Sequence, residues 1–314
     1  MHGKLCSAGS GVQARRPPVL DPFRRVVQIA CRNMHPNMED PMARVMEEQQ
    51  TKPLVSYETT NGVAIFTLDD PPANTYTYEM MQALDSAILR ARMDDDVHVM
   101  VLVGAGEKFF CAGANIQMLN TVTPQFKYYF CLHANETLNR LEQTPKLVIA
   151  ALAGHTVGGG LEIAMAADLR IARSGAGKIG LPEVTLGVLP GTGGTQRLAR
   201  LVGKTRAIEL MITGRTFDFE EAKALGIVND VWEAESRDAF LEKVLAYAAR
   251  FTPPNMASKA IGNIKRAVQT GAELPFQDAL AVERELQQLL FQSGDAKEGL
   301  AAYVEKRKAA FRGR

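Results

Sequence analysis

The chain has 314 residues, 46% of them hydrophobic and 23% charged, enough apolar material for one large core or two modest domains. Its 36 Lys and Arg against 35 Asp and Glu leave a formal charge of +1, which gives no global electrostatic reason to bind nucleic acid, an anionic membrane or a polyanionic partner. No stretch reaches the ~18 uninterrupted apolar residues of a membrane helix.

Residues 1–50 read as an appendage. Arg15-Arg16, Pro17-Pro18, Arg24-Arg25 and Arg32 occur with little acid before Glu39, and strand periodicity is absent. A disordered extension or an upstream over-read of the start ranks ahead of a mitochondrial transit peptide, because Met34, Met38, Met42 and Met46 each offer a later start. A cytoplasmic location is therefore expected, with the mitochondrial matrix as the alternative if residues 1–45 are a transit peptide. The four cysteines, Cys6, Cys31, Cys111 and Cys131, show neither metal-ligand spacing nor a disulfide framework, which fits reduced thiols in either place.

Regular structure is predicted from Val55. Two β-rich runs, 55–60 and 63–68, flank Asn61-Gly62, a strong hairpin signal. Pro71-Pro72 stops the second strand, and 78–92 carries Met81, Leu84, Ile88 and Leu89 at helical spacing. The run 97–103 is apolar at nearly every position, as in a strand buried on both faces, and ends at Gly104-Ala105-Gly106. The same grammar recurs at 147–152, which leads through Gly154 to a helix opening in Gly158-Gly159-Gly160, and 168–172 reads as another short strand. Repeating strand, turn and helix units imply an α/β core of stacked crossovers over 51–195.

From 196 to 314 the pattern is helical, with segments at 195–202, 206–213, 218–225, 238–250, 254–270, 275–291 and 297–311. Asp218 caps one of these and Gly226 stops it. Leu280, Leu286, Leu289 and Leu290 give 275–291 a broad apolar face that needs a cover. The last segment carries Lys306-Arg307-Lys308 near its end.

Chemistry concentrates in a few short segments. Glu162 and Glu183 each follow a tight glycine- or proline-bounded turn, and two such carboxylates can hold one water between them for acid/base work. The turns 110–116 and 155–162 consist largely of small residues before a helix, where free N–H groups can receive a developing oxyanion. Val103-Gly104-Ala105-Gly106 lacks the third glycine of a dinucleotide fingerprint, and Gly191-Thr192-Gly193-Gly194-Thr195 lacks the P-loop lysine, so its glycines set a turn before a helix. Cys111 has no histidine beside it to make it a nucleophile. His155 reads as structural, and Thr75, Tyr76 and Tyr78 as packing residues.

The segments Lys108-Phe109-Phe110-Cys111-Ala112-Gly113-Ala114-Asn115-Ile116, Gly158-Gly159-Gly160-Leu161-Glu162 with its continuation to Asp168, Leu181-Pro182-Glu183, and 186–198 resemble, in this order, the enoyl-CoA hydratase/isomerase (crotonase) superfamily. The resemblance covers about 52–314 and is closest in pattern to enoyl-CoA hydratase. It implies a spiral of ββα units with a C-terminal helical trimerisation region, and a homotrimer or homohexamer that would cover the apolar face. By position, Glu162 and Glu183 would be the catalytic pair and the N–H groups of Ala114 and Gly159 the oxyanion hole. Ala73, Ala112, Ile116 and Lys306 would contact CoA or substrate.

The implied reaction is syn addition of water to a trans-2-enoyl-CoA. Glu162 would mainly accept the water proton, and Glu183 would mainly deliver a proton to the α-carbon. No metal or further cofactor is implied, since CoA is part of the acyl-CoA substrate, and neither nucleic acid nor membrane is an expected partner. One departure stands out: Asn115 replaces the Asp usual in that segment, which should preserve helix capping while altering charge near the pocket. A Δ3-Δ2 enoyl-CoA isomerase, a methylglutaconyl or branched-chain hydratase, and an RNA-binding homologue are the alternatives. Retention of Glu162 favours the hydratase over the isomerase.

Overall fold

The computed structural model describes residues 52–314, so the expectation about residues 1–50 lies outside the described residues. The chain begins with the predicted hairpin, β1 (Val55–Thr60) and β2 (Val63–Leu68), paired antiparallel with Thr60 opposite Val63. Asn61 and Gly62 supply the two positive φ angles, 48° and 78°, of a two-residue turn whose twist matches the strands. Thr77 caps α1 (Tyr78–Met93), which buries Met80, Met81, Leu84, Ala87, Ile88 and Ala91 at helical spacing.

Thereafter strands come in pairs that separate into two sheets. The first members, β3 (Val99–Gly104), β5 (Leu147–Leu152) and β7 (Leu169–Arg173), add in parallel to a six-stranded sheet whose order begins β1-β2-β3-β5-β7. The second members, β4 (Phe109–Cys111), β6 (His155–Val157) and β8 (Ile179–Gly180), form a small parallel sheet in the order β4-β6-β8. Gly154 lies where the chain leaves the large sheet for the small one, and a Cβ there would stand 2.5 Å from the Lys108 carbonyl. Helices α2 (Ile116–Thr121) and α3 (Pro124–Gln143) follow β4, and α4 (Gly159–Met165) follows β6. This is the expected repetition of ββα units.

Residues 53–314 form one compact unit. A short 3-10 turn, Glu183–Leu186, precedes α5 (Gly194–Val202), α6 (Lys204–Thr213) and α7 (Phe219–Ala224). Then β9 (Asp230–Trp232) joins the large sheet beside β7, and α8 (Arg237–Ala249) lies across that sheet. Side-chain alternation explains why both are needed. Ala64, Phe66, Met100 and Leu102 point into the main core, while Val63, Ile65, Val99, Val101 and Val103 point the other way and meet Phe240, Val244 and Ala248 of α8. The segments α9 (Ser258–Gly271), α10 (Phe276–Phe291) and α11 (Gly294–Val304) complete the chain.

Two helix boundaries correct the sequence reading. The helix expected from residue 254 begins at Ser258, and the last helix ends at Val304 rather than at 311. Lys306 turns left-handed (φ 55°), after which the chain folds back. Arg307 makes a forked ion pair with Glu298, and the N–H groups of Arg312 and Gly313 donate to the Asp295 carboxylate, bonds that a continuing helix could not make. On the predicted apolar face of α10 only Leu286 is fully buried, and Leu289 is half exposed.

Candidate active site

Glu162 sits in the first turn of α4, whose seven residues are all buried. The preceding Gly158 takes φ 57° and ψ −131°, and its carbonyl accepts from the N–H groups of Leu161 and Glu162. The glutamate side chain reaches the turn before α5. There the N–H groups of Thr192 and Gly194 both donate to its Oε1, each at 2.7 Å. Gly194 permits this approach, since a Cβ on it would lie 2.8 Å from the same oxygen. Burial raises the proton affinity of Glu162, and the two amides oppose that rise.

Glu183 opens the 3-10 turn rather than lying in an irregular loop. A Cβ on Gly158 would be 2.9 Å from its Oε1, so the two predicted glutamates meet at the same glycine turn. Its Oε2 is buried without a hydrogen-bond partner among the described residues. Burial, aided by the charge of Glu162, pushes the Glu183 carboxyl up to about 7. Lys127, on α3, favours the ionised form of both glutamates. Its ammonium lies 5.3 Å over the Phe130 ring.

The glycine-rich turns converge on the same place. A Cβ on Gly113 would lie 3.1 Å from the Gly159 nitrogen, which brings the 112–115 segment against the start of α4. Tyr76 bridges in parallel to Ala114, donating its N–H to Gly113 O and accepting from the Asn115 N–H. Among the described residues no backbone acceptor takes the N–H of Ala114 or of Gly159. Asn115 caps α2 as expected, accepting from Met118 N at 2.9 Å.

The expected CoA contacts separate into two groups. Ala73 and Ala112 are joined by a backbone hydrogen bond of 3.0 Å, and Ile116, exposed, begins α2 beside them. Lys306 is exposed just past the end of α11, where its N–H donates to Tyr303 O, and among the described residues no backbone hydrogen bond joins it to these residues. Asn74 holds the first group in place: buried, with φ 51°, it donates to the carbonyls of Ala105 and Phe109 at 2.9 Å.

His155 is structural, accepting from Lys178 N and packing at a tilt against Phe109. Cys111 is fully buried and its thiol is pushed up to about 12, so it is neutral. Three features escaped the sequence reading: the amides of Thr192 and Gly194 as holders of Glu162, the helix α3 with Lys127, and the hydrogen bond between the Tyr76 and Thr192 hydroxyls. Thr123-Pro124, a cap followed by an N1 proline, was the available signal for α3. Among the described residues no group of three or more His, Cys, Asp or Glu side chains is placed to hold a metal.

Paired sheets linked by ββα units, with two glutamates and two free amides at one turn, define a crotonase-type fold and site. The chain belongs to the enoyl-CoA hydratase/isomerase family, whose profile matches residues 58–314. It is 39% identical over 258 residues to a probable enoyl-CoA hydratase of Rhizobium meliloti, an alignment covering 82% of this chain and 97% of that one. A crotonyl-CoA hydratase of Syntrophomonas wolfei is 34% identical over 255 residues, covering 81% and 96%. The crystal structure of an enoyl-CoA hydratase from Geobacillus kaustophilus superposes with a TM-score of 0.80 at 45% identity, covering 84% of this chain and 98% of the other.

Proposed function

We propose that this protein is an enoyl-CoA hydratase that adds water reversibly across the 2,3 double bond of a trans-2-enoyl-CoA, giving a 3-hydroxyacyl-CoA. One observation carries the reading: two glutamates at one glycine turn, Glu162 buried and Glu183 partly buried, are held in different ways. Glu162 is held by two N–H donors that favour the carboxylate, whereas Glu183, pushed up to about 7 with an unpartnered Oε2, has a proton to give at neutral pH.

The thioester carbonyl oxygen accepts from the N–H groups of Ala114 and Gly159, which polarises the double bond and makes C3 electrophilic. Glu162 takes a proton from water as the water oxygen bonds to C3, and the displaced electron pair collects on the thioester as an enolate. That pair then takes the Glu183 proton at C2. The product keeps one hydroxyl and one hydrogen from water and the glutamates, and the proton now on Glu162 restores Glu183 when the next water enters. Ala73, Ala112 and Ile116 line the CoA approach in this reading, and CoA is part of the substrate rather than a separate cofactor.

A homotrimer or homohexamer goes with the same reading. Exposed Ile208, Ile212, Ile264, Val268, Phe276 and Leu289 support it, and the exposed Lys306 suits a CoA contact to another subunit. Sedimentation at the monomer mass would contradict it. A cytoplasmic location fits the free thiols at Cys111 and Cys131. Among the described residues no helix is long and apolar enough to cross a membrane.

A survey of enoyl-CoA chain lengths and branches, followed by loss of the ultraviolet absorbance of the conjugated thioester, tests the activity. Crotonyl-CoA or a longer 2-enoyl-CoA is expected to lose that absorbance. Conversion of a 3-enoyl-CoA while every 2-enoyl-CoA stays untouched would replace the hydratase by the isomerase.

A further inference from the structure

We propose that Tyr76 is a positioning residue for this reaction: its hydroxyl, donated to Thr192, aims the Thr192 hydroxyl and amide at Glu162, while its ring backs the Gly159 amide. The role of Glu162 in this proposal rests on the hydratase reading. Tyr76 follows the Ala73-Asn74 turn, where sequence assigns it only to packing, and it is 2% exposed. Its backbone N–H donates to Gly113 O at 2.9 Å and its carbonyl accepts from Asn115 N at 3.0 Å, which fixes Ala114 between them. A Cβ on residue 159 would collide with Tyr76 Oη and Cε1, so the ring lies directly against the second amide. Its Oη is 2.9 Å from Thr192 Oγ1, and the Thr192 N–H is 2.7 Å from Glu162 Oε1. One buried side chain thus touches the supports of Ala114, Gly159 and Glu162 together.

The direction of the Tyr76 to Thr192 bond follows from acidity. A phenol is a better donor than an aliphatic hydroxyl, so Tyr76 donates and the Thr192 proton is left for Glu162. Burial and the Glu162 charge keep the phenol protonated well above its ordinary range, so the donor persists at any working pH. Such a relay favours the carboxylate form of Glu162 and fixes the oxygen that takes the water proton. The other groups acting on this site are Lys127 and Cys131 on α3, Glu183 on the 3-10 turn and the neutral Cys111 thiol beside Tyr76. The variants below leave all four in place.

The test is an infrared titration of the unliganded full-length protein, in which the carboxyl stretch of protonated Glu162 is assigned by its loss in Glu162→Gln. Tyr76→Phe, which keeps the ring, is expected to raise the Glu162 midpoint by about 0.5–1 pH unit. It should also lower kcat on crotonyl-CoA about 3- to 10-fold with KM changed less than about twofold. Thr192→Val, which keeps the amide, should raise the midpoint similarly, and Thr192→Ser should leave it at the wild-type value. The double variant Tyr76→Phe/Thr192→Val should match Thr192→Val alone, because both break one chain. An unchanged midpoint in both Tyr76→Phe and Thr192→Val overturns the proposal, whether or not the enzyme turns over crotonyl-CoA. A shifted midpoint in a protein that hydrates no enoyl-CoA would sink the hydratase reading and leave the relay standing.

Discussion

The surroundings of Glu162 and Glu183 are built on opposite plans. Glu162 belongs to a wholly buried helix, and its oxygen is fixed by two amides from the turn before α5. Glu183 opens a single 3-10 turn that runs into exposed Val184, Leu186, Val188 and Leu189, and one of its oxygens has no partner. A base needs its ionised form stabilised and aimed. An acid must still carry its proton near neutral pH, which burial outweighing a backbone hydrogen bond and the charge of Lys127 provides. In the proposed reaction two residues of one type thus serve opposite halves because their neighbours differ.

The largest expected effects come from removing either carboxyl. Glu162→Gln and Glu183→Gln should each lower kcat by at least about 10²-fold, measured by the thioester absorbance. A wild-type rate in either variant would end the two-carboxylate mechanism. Next come two glycines that sharpen the contrast. Gly194→Ala puts a Cβ 2.8 Å from Glu162 Oε1 and should cut kcat about 10- to 100-fold by displacing the carboxylate. Gly187→Ala, at φ 72° with open space around it, should cost about 1–2 kcal/mol of stability with kcat nearly unchanged. Equal kcat losses at the two positions would show that the Glu162 cradle is not the rigid one.

The pH dependence gives a smaller and more specific signal. As an acid with a carboxyl near 7, Glu183 should make kcat/KM fall above pH 7, by up to about tenfold per unit, and this limb should vanish in Glu183→Gln. Stability carries the same sign. The folded carboxyl lies above its unfolded value of about 4.3, so the stability it contributes at low pH is lost as pH rises through about 7. Glu183→Gln should therefore melt roughly 2–4 °C above wild type at pH 8, and level with it at pH 4. Equal melting temperatures at both pH values would mean that Glu183 is solvated like a surface carboxylate.

Periodicity and turn chemistry made much of the fold legible. The Asn61-Gly62 hairpin, the continuous apolar run of β3, the spacing in α1 and the cap at Asp218 each state a local preference that the structure keeps. What escaped is short or completed from afar. β4, β6 and β8 have two or three residues each, too few for a period, and β9 gains its place only by pairing with β7. The helical pattern after residue 196 also gave no sign that α8 would cover the second face of the large sheet, since amphipathicity says that a face needs burial but not against what.

The site divides along the same line. The sequence by itself determined which segments carry chemistry, because the glycine turns and the two glutamates are local patterns, and it determined the family through their order. Only the tertiary structure decided that Glu162 is gripped by amides 30 and 32 positions away, that Glu183 has an oxygen without a donor, and that Tyr76 joins three parts of the site. Proton affinity is set by burial, nearby charge and hydrogen bonds across the fold, so identical glutamates acquire different chemistry only once the chain has brought their neighbours together.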